Sequence, residues 1–445
     1  MILVHKNLMI RDAEASDAEQ LCIWWNNGKV MAHAGFPNGV GDTSERIRES
    51  LAEDSDETHR RHIIELGGKP IGEMNYRNKG CETAEIGIKI CEFAEQNKGY
   101  GAQLLSMFID ALFTYYKYKK VILDTNIKNK RAQNVYENKL GFHRIGIREN
   151  SWRDQTGELQ SAVDYELSKE DWSLSNMRPI NYTRLRLERP ADYRAIEELT
   201  REAFWNNSRH VCDEHLLVHR LRMSDSFVPE LDYVAEVGED IAGHIIYSKS
   251  RIEGVNGKIY ETLTFGPLSV LPDLHFKGIG KALLLYSIGK ARRLGYRAIL
   301  IFGHPDYYPR VGFRRAAEFN ITTADDKNFD PFMALPLYNG ALDGVQGKYY
   351  YDPVYDNLSE NDVLEFDKGF PPKERYVPIP ISVLLDRLEP DAKKAVQGLG
   401  CQFLDDIRPK SEREIKLLGS IDQKAISTIY EVMAEYHYRW GKVGE

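Results

Sequence analysis

Two short segments carry residues whose types and spacing could do chemistry: Gln96-Asn97-Lys98-Gly99-Tyr100-Gly101-Ala102 and His275-Phe276-Lys277-Gly278-Ile279-Gly280-Lys281. Each follows an apolar run and opens a helical pattern. The first backbone N–H groups of a helix have no internal partner and carry the positive end of its dipole. Such a junction attracts an anion, and glycine lets a phosphate approach closely. Lys98, Lys277 and Lys281 add positive charge nearby. The chemistry expected is the grip of a phosphate-bearing ligand, although a lone G-x-G also serves as a tight turn. A dinucleotide fingerprint is excluded, because it needs glycine where Leu104 and Leu283 stand. A Walker loop is excluded too, since it needs glycine at His275 and Ser or Thr at Ala282.

The elements that must position these loops recur in one order. Strands are predicted over 86–90 and 263–270 ahead of the loops. After the first loop, Leu104, Leu105, Phe108, Ile109, Leu112 and Phe113 share one helical face. After the second, Leu284, Ile288 and Ala291 do so, and Gly295 stops the helix. Strands at 121–123 and 298–302 come next. Each half then sets a tyrosine five residues before a Gly-Phe pair: Tyr136 before Gly141-Phe142, and Tyr307 before Gly312-Phe313. This is a long internal repeat, so two modules of one plan are expected. The polar stretch at 175–182 marks their junction, and helical patterning resumes near 380. The domains read 1–177, 178–375 and 376–445.

At 445 residues the chain is long enough for about three domains. Hydrophobic residues at 42% and charged ones at 28% suit a soluble globular protein, not a collagen-like, disordered or membrane-spanning one. No apolar stretch approaches the roughly 18 residues of a membrane helix, and the start has too short an apolar core for a secretory signal, so the cytoplasm is the expected location. The five scattered cysteines, never in a C-x-x-C pair, suggest neither a disulfide framework nor zinc, and no metal is expected. Lys plus Arg number 59 against 67 Asp plus Glu. The net charge of −8 leaves no general attraction to nucleic acid or anionic lipid.

Gln96-x-x-Gly99-x-Gly101, followed by N-K-R-A-Q-N-V-Y-E-N-K-L-G-F at 129–142, resembles the pyrophosphate loop and downstream signature of the GNAT acyltransferase superfamily. The resemblance implies a mixed α/β fold, duplicated here, with a central mixed sheet flanked by helices in each of two domains. It also implies acetyl-CoA as acyl donor, lying between two splayed strands. Carried over, the amides from Gln96 to Ala102 would hold pyrophosphate. The backbone of Ile88 and Ile90 would align the pantetheine arm, Asn129 would contact it, and Tyr136 would sit beside the sulfur. A phenol, with pKa of about 10, stays protonated at neutral pH and can supply a proton to a departing thiolate. The attacking amine must shed a proton, for which Glu85 is the candidate base and Glu73 the reserve.

The second module resembles another branch of the superfamily, small bacterial N-acetyltransferases, through F-G-P-L-S-V-L-P at 265–272 and G-H-P-D-Y-Y-P-R-V-G-F at 303–313. By that likeness Leu268 and Val270 would align a cofactor arm, and the loop from His275 to Lys281 would hold its phosphates. His275 stands where Gln or Arg is usual, and no asparagine matches Asn129. Tyr307 takes the proton-donor position, with Tyr308 behind it. Glu261 is a candidate base, and His304 reads as a loop histidine bonded to local backbone.

Residues 381–445 form a small all-α unit similar to the helix-hairpin-helix domain of bacterial RNA polymerase alpha subunits, its hairpin at 418–425. Such hairpins free glycine amides toward phosphate, whereas Ser420 and Asp422 stand at those positions here. Ten basic residues against eleven acidic ones give no basic footprint. A protein contact or internal packing is expected in place of DNA binding, with Tyr438 and Trp440 as anchors. The whole reads as an acetyl-CoA-dependent N-acetyltransferase acting on a small-molecule or protein amine by direct transfer through a tetrahedral intermediate. The rival reading is a non-catalytic acetyl-CoA-binding adaptor that recruits a partner through 381–445. Trp24 and Trp25 could wall an acceptor pocket. A cationic acceptor such as a polyamine, an aminoglycoside or a protein amino terminus would suit an acidic protein, but a charge of −8 is too modest to choose among them.

Overall fold

The computed structural model describes residues 1–174, 181–205, 212–373, 379–407, 410 and 412–436, with 413 by its backbone alone. Two compact units emerge: Met1–Ala203 with Asp213–Val363, and Phe204–Cys212 with Leu364–Glu445. Both glycine loops lie in the first unit. The junctions read at 177/178 and 375/376 fall outside the described residues. Among the described residues no helix is long and apolar enough to cross a membrane.

The first half of the large unit contains β1 (Ile2–His5), β2 (Leu8–Asp12), β3 (His59–Leu66), β4 (Lys69–Asn78), β5 (Thr83–Ile90), β6 (Lys120–Asn126), β7 (His143–Arg153) and β8 (Leu159–Ser168). The second half contains β9 (Thr183–Leu187), β10 (Tyr233–Val237), β11 (Asp240–Gly254), β12 (Ile259–Val270) and β13 (Ala298–Phe302). The short strands β14 (Arg314–Arg315), β15 (Ile321–Thr323), β16 (Phe332–Pro336) and β17 (Gly347–Tyr350) follow. Pairing runs β7–β8–β6–β5–β4–β3–β2–β1–β9–β10–β11–β12–β13–β16, antiparallel except at β5–β6 and β12–β13. What the sequence reads as two modules is thus one sheet, stitched at β1, where Leu3 faces Ile10 of β2 and Arg184 of β9.

Strand alternation makes β1 serve two cores at once. Leu3 packs with the first core, while Ile2 and Val4 pack with the second. Helix Tyr100–Thr114 covers the first core with the residues its 3.6-residue period predicts: Leu104, Leu105, Phe108, Ile109, Leu112 and Phe113, all buried. Helix Ile279–Arg293 covers the second with Leu284, Ile288 and Ala291, and Gly295 at φ +84° ends the chain's helical run. The other face of the first half is closed by Leu21, Trp24, Ile47 and Leu51 around Ile63.

One ionic brace occurs twice. Arg11 of β2 donates to Glu65 of β3 at 2.7 Å and, through two nitrogens, to Asp17 at 2.7 and 2.8 Å. Arg186 of β9 donates to Glu236 of β10 at 2.6 Å and to Asp192 at 2.6 and 3.0 Å. Each aspartate also takes a backbone N–H, from Glu14 and Arg189 respectively, at 2.8 Å. A bidentate guanidinium thereby ties a strand to its neighbour and to the turn that follows it.

The small unit has its own core of Leu384, Val396, Leu404, Ile407, Ile415, Ile426, Ile429 and Val432. Its helices include Ser382–Leu385, Pro390–Gln397, Glu412–Lys416 and Gln423–Glu435. Asp422 caps the last of these, accepting the Ala425 N–H at 2.7 Å. A carboxylate therefore already sits on the amides that a backbone phosphate would need. Tyr438 and Trp440 lie outside the described residues.

The brace gives a stability prediction. Arg11→Met leaves two carboxylates without their cation and should cost about 3–5 kcal/mol in urea unfolding at pH 7, and Arg186→Met should cost less, because Glu236 keeps Arg184 at 2.7 Å. Burial is the largest single influence on Asp17 and Asp192 and opposes their ionisation, but the hydrogen bonds and charge of Arg11 and Arg186, with the backbone N–H bonds, together outweigh it and hold both carboxyls below the usual aspartate value. Their contribution is present above the unfolded value of about 4 and lost as pH falls through the lower folded values. The deficit of each variant should therefore shrink at acid pH.

Candidate active site

The crevice exists because two parallel strands part. β5 and β6 are in register only over Thr83–Glu85 against Lys120–Ile122, and beyond that they diverge. The Cys91 N–H donates to the Ile71 carbonyl at 2.8 Å, which sets the alternation along β5. Odd-numbered residues bond to β4, and even-numbered residues turn N–H and C=O to the other edge. The N–H and C=O of Ile88 and the N–H of Ile90 therefore face a cleft of about 1300 Å³. The Ile90 carbonyl is closed by the Gln96 side chain, whose Nε2 donates to it at 2.8 Å.

Above that edge the loop winds into a backbone concavity. Asn97 at φ +62° and Gly99 at φ +81° alternate with Lys98, a left-handed pattern that turns successive N–H groups inward. No side chain caps helix Tyr100–Thr114. A Cβ placed on Gly99 or Gly101 would meet nothing within 4 Å, so open space lies over the helix start. Tyr100 and Ala102 line the same cleft. Lys98 is drawn off to Glu95 at 2.9 Å and does not line it. The cation at the loop is Arg131, which donates to Gln96 Oε1 at 3.3 Å and Asn97 Oδ1 at 3.1 Å. Sequence reasoning missed it, although it sits inside the quoted N-K-R-A segment. Asn129 lines the cleft but is a helix cap, accepting the Ala132 N–H at 3.2 Å and donating to Thr125 Oγ1 at 3.3 Å.

Tyr136 lines the floor of the cleft, 8% exposed, packed against Phe142 and edge-on to Tyr165. No described residue hydrogen-bonds its hydroxyl. Burial, aided by the Asp124 carboxylate, pushes the phenol up to about 12. The two candidate bases separate. Glu85 stands outside the cleft, 3.4 Å from Lys79. Glu73 lines it, nearly buried, with Oε1 2.8 Å from Lys89 Nζ and Oε2 accepting the Trp25 indole N–H at 3.0 Å. Trp24 is core, donating to Glu92 at 2.8 Å.

Residues 7–143, which span the parted strands, the loop and Tyr136, match the Acetyltransferase (GNAT) domain family. The chain carries a GNAT acetyltransferase domain. The uncharacterized N-acetyltransferase YhbS of Escherichia coli K12 is 28% identical over 168 residues, which is 38% of this chain and 95% of YhbS. The uncharacterized N-acetyltransferase YjhQ of the same strain is 30% identical over 102 residues, 23% of this chain and 55% of YjhQ. Among solved structures, that of YhbS with CoA aligns at TM-score 0.36 and 24% identity, covering 42% of this chain and 98% of that one. A GNAT family acetyltransferase from Brucella melitensis in complex with acetyl-CoA aligns at TM-score 0.33 and 28% identity, over 39% of this chain and 98% of that one.

The GNAT crevice has a partial echo in the second half. β12 and β13 share a single register pair, Leu263 with Ile299, before diverging. Phe276 at φ +61° and Gly278 at φ +87° repeat the angles of Asn97 and Gly99. His275 Nε2 donates to the Val270 carbonyl at 2.9 Å, the task Gln96 performs on Ile90. The imidazole thus closes the strand end, where the sequence suggested a donor to phosphate. A Cβ on Gly280 would meet Val270 at 3.5 Å and Leu268 at 3.9 Å, so less open space lies over this helix than over Gly101. Lys281 reaches Asn7 at 3.3 Å, and Ile279 is core. Glu261 lines a separate pocket of about 470 Å³ with Glu230 and Tyr296. His304 accepts the Asp306 N–H at 3.3 Å, a local backbone bond as expected.

The tyrosines correspond differently from their spacing. The Phe142 N–H donates to the Tyr136 carbonyl at 2.9 Å, and the Phe313 N–H donates to that of Tyr308 at 3.3 Å. Val135–Lys139 is a π-helical turn, which absorbs one extra residue ahead of Gly141. Tyr308 therefore stands where Tyr136 stands, one residue closer to its glycine, and burial pushes it too up to about 12. Tyr307, 37% exposed, packs edge-on against it.

A spectroscopic prediction follows for Tyr136. The difference in phenolate absorbance between wild type and Tyr136→Phe should stay flat through pH 11, because this phenol ionises near 12 and not near the usual value of about 10.

Proposed function

We propose that the chain is an acetyl-CoA-dependent N-acetyltransferase whose first crevice passes an acetyl group directly to an amine, on a small molecule or a protein. One juxtaposition carries this reading: the uncovered β5 edge, the glycine loop and the unbonded Tyr136 phenol share one cleft. The open space over Gly99 and Gly101 fits a pyrophosphate, with Arg131 beside it. When bound, acetyl-CoA supplies an acetyl group activated as a thioester. Ile88 offers one N–H and one C=O to an extended amide-bearing arm, as an added strand would require. Tyr136 holds a proton throughout the neutral range at the place where a thiolate departs. Glu73 receives the proton that the attacking amine loses, directly or through water, while Lys89 and Trp25 hold its two oxygens.

We also propose that residues 1–177 and 178–375 are two GNAT modules in tandem, and 376–445 a helix-hairpin-helix-like appendage. The repeated brace, loop angles and strand-end bond support the duplication. The capped helix at Asp422 favours a protein partner for the appendage over nucleic acid. Tyr308 is the proton donor of the second crevice.

Free-thiol release from acetyl-CoA across a panel of amines tests this. Tyr136→Phe and Glu73→Gln should each lower kcat by about 10²–10⁴-fold, whereas Glu85→Gln should stay near wild type. Turnover indifferent to Tyr136→Phe and Tyr308→Phe would refute the mechanism. Gly101→Val should weaken coenzyme A binding in calorimetry by about tenfold or more while leaving the melting temperature unchanged, because its side chain enters empty space and not the core.

A further inference from the structure

The charge of the first crevice is not the charge of the protein. Three carboxylates line it, and each is already bonded to a cation: Glu73 to Lys89, Glu95 to Lys98, and Asp124 to Arg148. Among the described residues no hydrogen bond or ion pair engages the side chains of Lys29 and His33, which line the same cleft. Lys139, on the turn that carries Tyr136, is likewise unengaged. The surplus charge facing the cleft is therefore positive, although the chain as a whole carries −8.

Lys29 and His33 lie four residues apart on adjoining short helical turns, Gly28–Met31 and Ala32–Ala34. That segment is pinned at both ends. Trp25, just ahead of it, bonds Glu73. Just behind it, Gly35 packs under Trp152 so closely that a Cβ would stand 2.3 Å from the ring, and the Gly35 carbonyl takes the Gln155 N–H at 2.9 Å. Gln155 also accepts the Asn38 N–H at 3.0 Å and donates to the Gly39 carbonyl at 2.9 Å. Two uncommitted donors thus line the cleft on a segment anchored to Glu73 through Trp25.

We infer that the acceptor carries an anionic group close to its amine, and that Lys29 and His33 bind that group while Glu73 faces the amine. This rests on the N-acetyltransferase reading above. A polycation would find every cleft carboxylate engaged and would meet Lys29 at the rim. An ammonium donates but cannot accept, so a carboxylate or a phosphate satisfies it.

Matched probes separate these sources: alanine against alaninamide for a carboxylate, and O-phosphoethanolamine against ethanolamine for a phosphate, with propane-1,3-diamine as the cationic control. Thiol release by the full chain should favour the anionic member of at least one pair by about tenfold in kcat/KM, and the preference should fall with added salt. Lys29→Ala should raise KM for that member by about tenfold with kcat nearly unchanged, and Lys29→Glu should reverse the preference. Preference for the neutral members, or a ratio that Lys29→Ala leaves unmoved, overturns the proposal. Release with the diamine alone overturns it while sparing the N-acetyltransferase reading. No release with any of the five amines overturns both.

Discussion

Parallel strands that part leave backbone hydrogen-bond groups without partners, and the first crevice is organised around that constraint. An unpaired N–H or C=O inside a protein is costly, so a strand edge opened in mid-sheet must be answered by something. At β5 part of the answer is internal, since Gln96 closes the Ile90 carbonyl. The rest, at Ile88, stays open toward a cleft. The same side chain that seals the strand end also begins the glycine loop. Strand edge and glycine loop are thereby tied together.

The second half obeys the same constraint with different residues. His275 replaces Gln96 in closing the strand end, and it does so with one ring nitrogen. The left-handed pair at Phe276 and Gly278 shows that only one of the two positive-φ positions needs glycine for the loop to form. What differs is the space above the helix, where Leu268 and Val270 come within van der Waals contact of a Cβ on Gly280 while nothing lies within 4 Å of one on Gly101. Backbone conformation persists between the halves while the room for a ligand changes.

Two arginines knit the scaffold that makes the crevices rigid. Each joins a strand, its neighbour and the next turn, gripping an aspartate with two nitrogens, and the Arg11 brace is buried. Such networks specify one arrangement because a half-made version strands a charge in the core. Between the two braces β1 divides its side chains by parity, one set to each core. The two halves cannot be separated without exposing both.

Local pattern was enough for much of this. The helix faces at 104–113 and 284–291, the strands before each loop and the stop at Gly295 were all legible, because periodicity and glycine act within a few residues. The glycine turns that open each helix were legible for the same reason. Tertiary structure decided what depends on distance and on partners. It withdrew Lys98 into a pair with Glu95 and brought in Arg131 from 30 residues downstream. It put Glu85 outside the cleft and Glu73 inside, and through a π-helical turn it matched Tyr136 with Tyr308 where spacing had pointed to Tyr307. Net charge could not choose an acceptor for a related reason: composition sums every side chain, whereas a ligand meets only those that line its cleft.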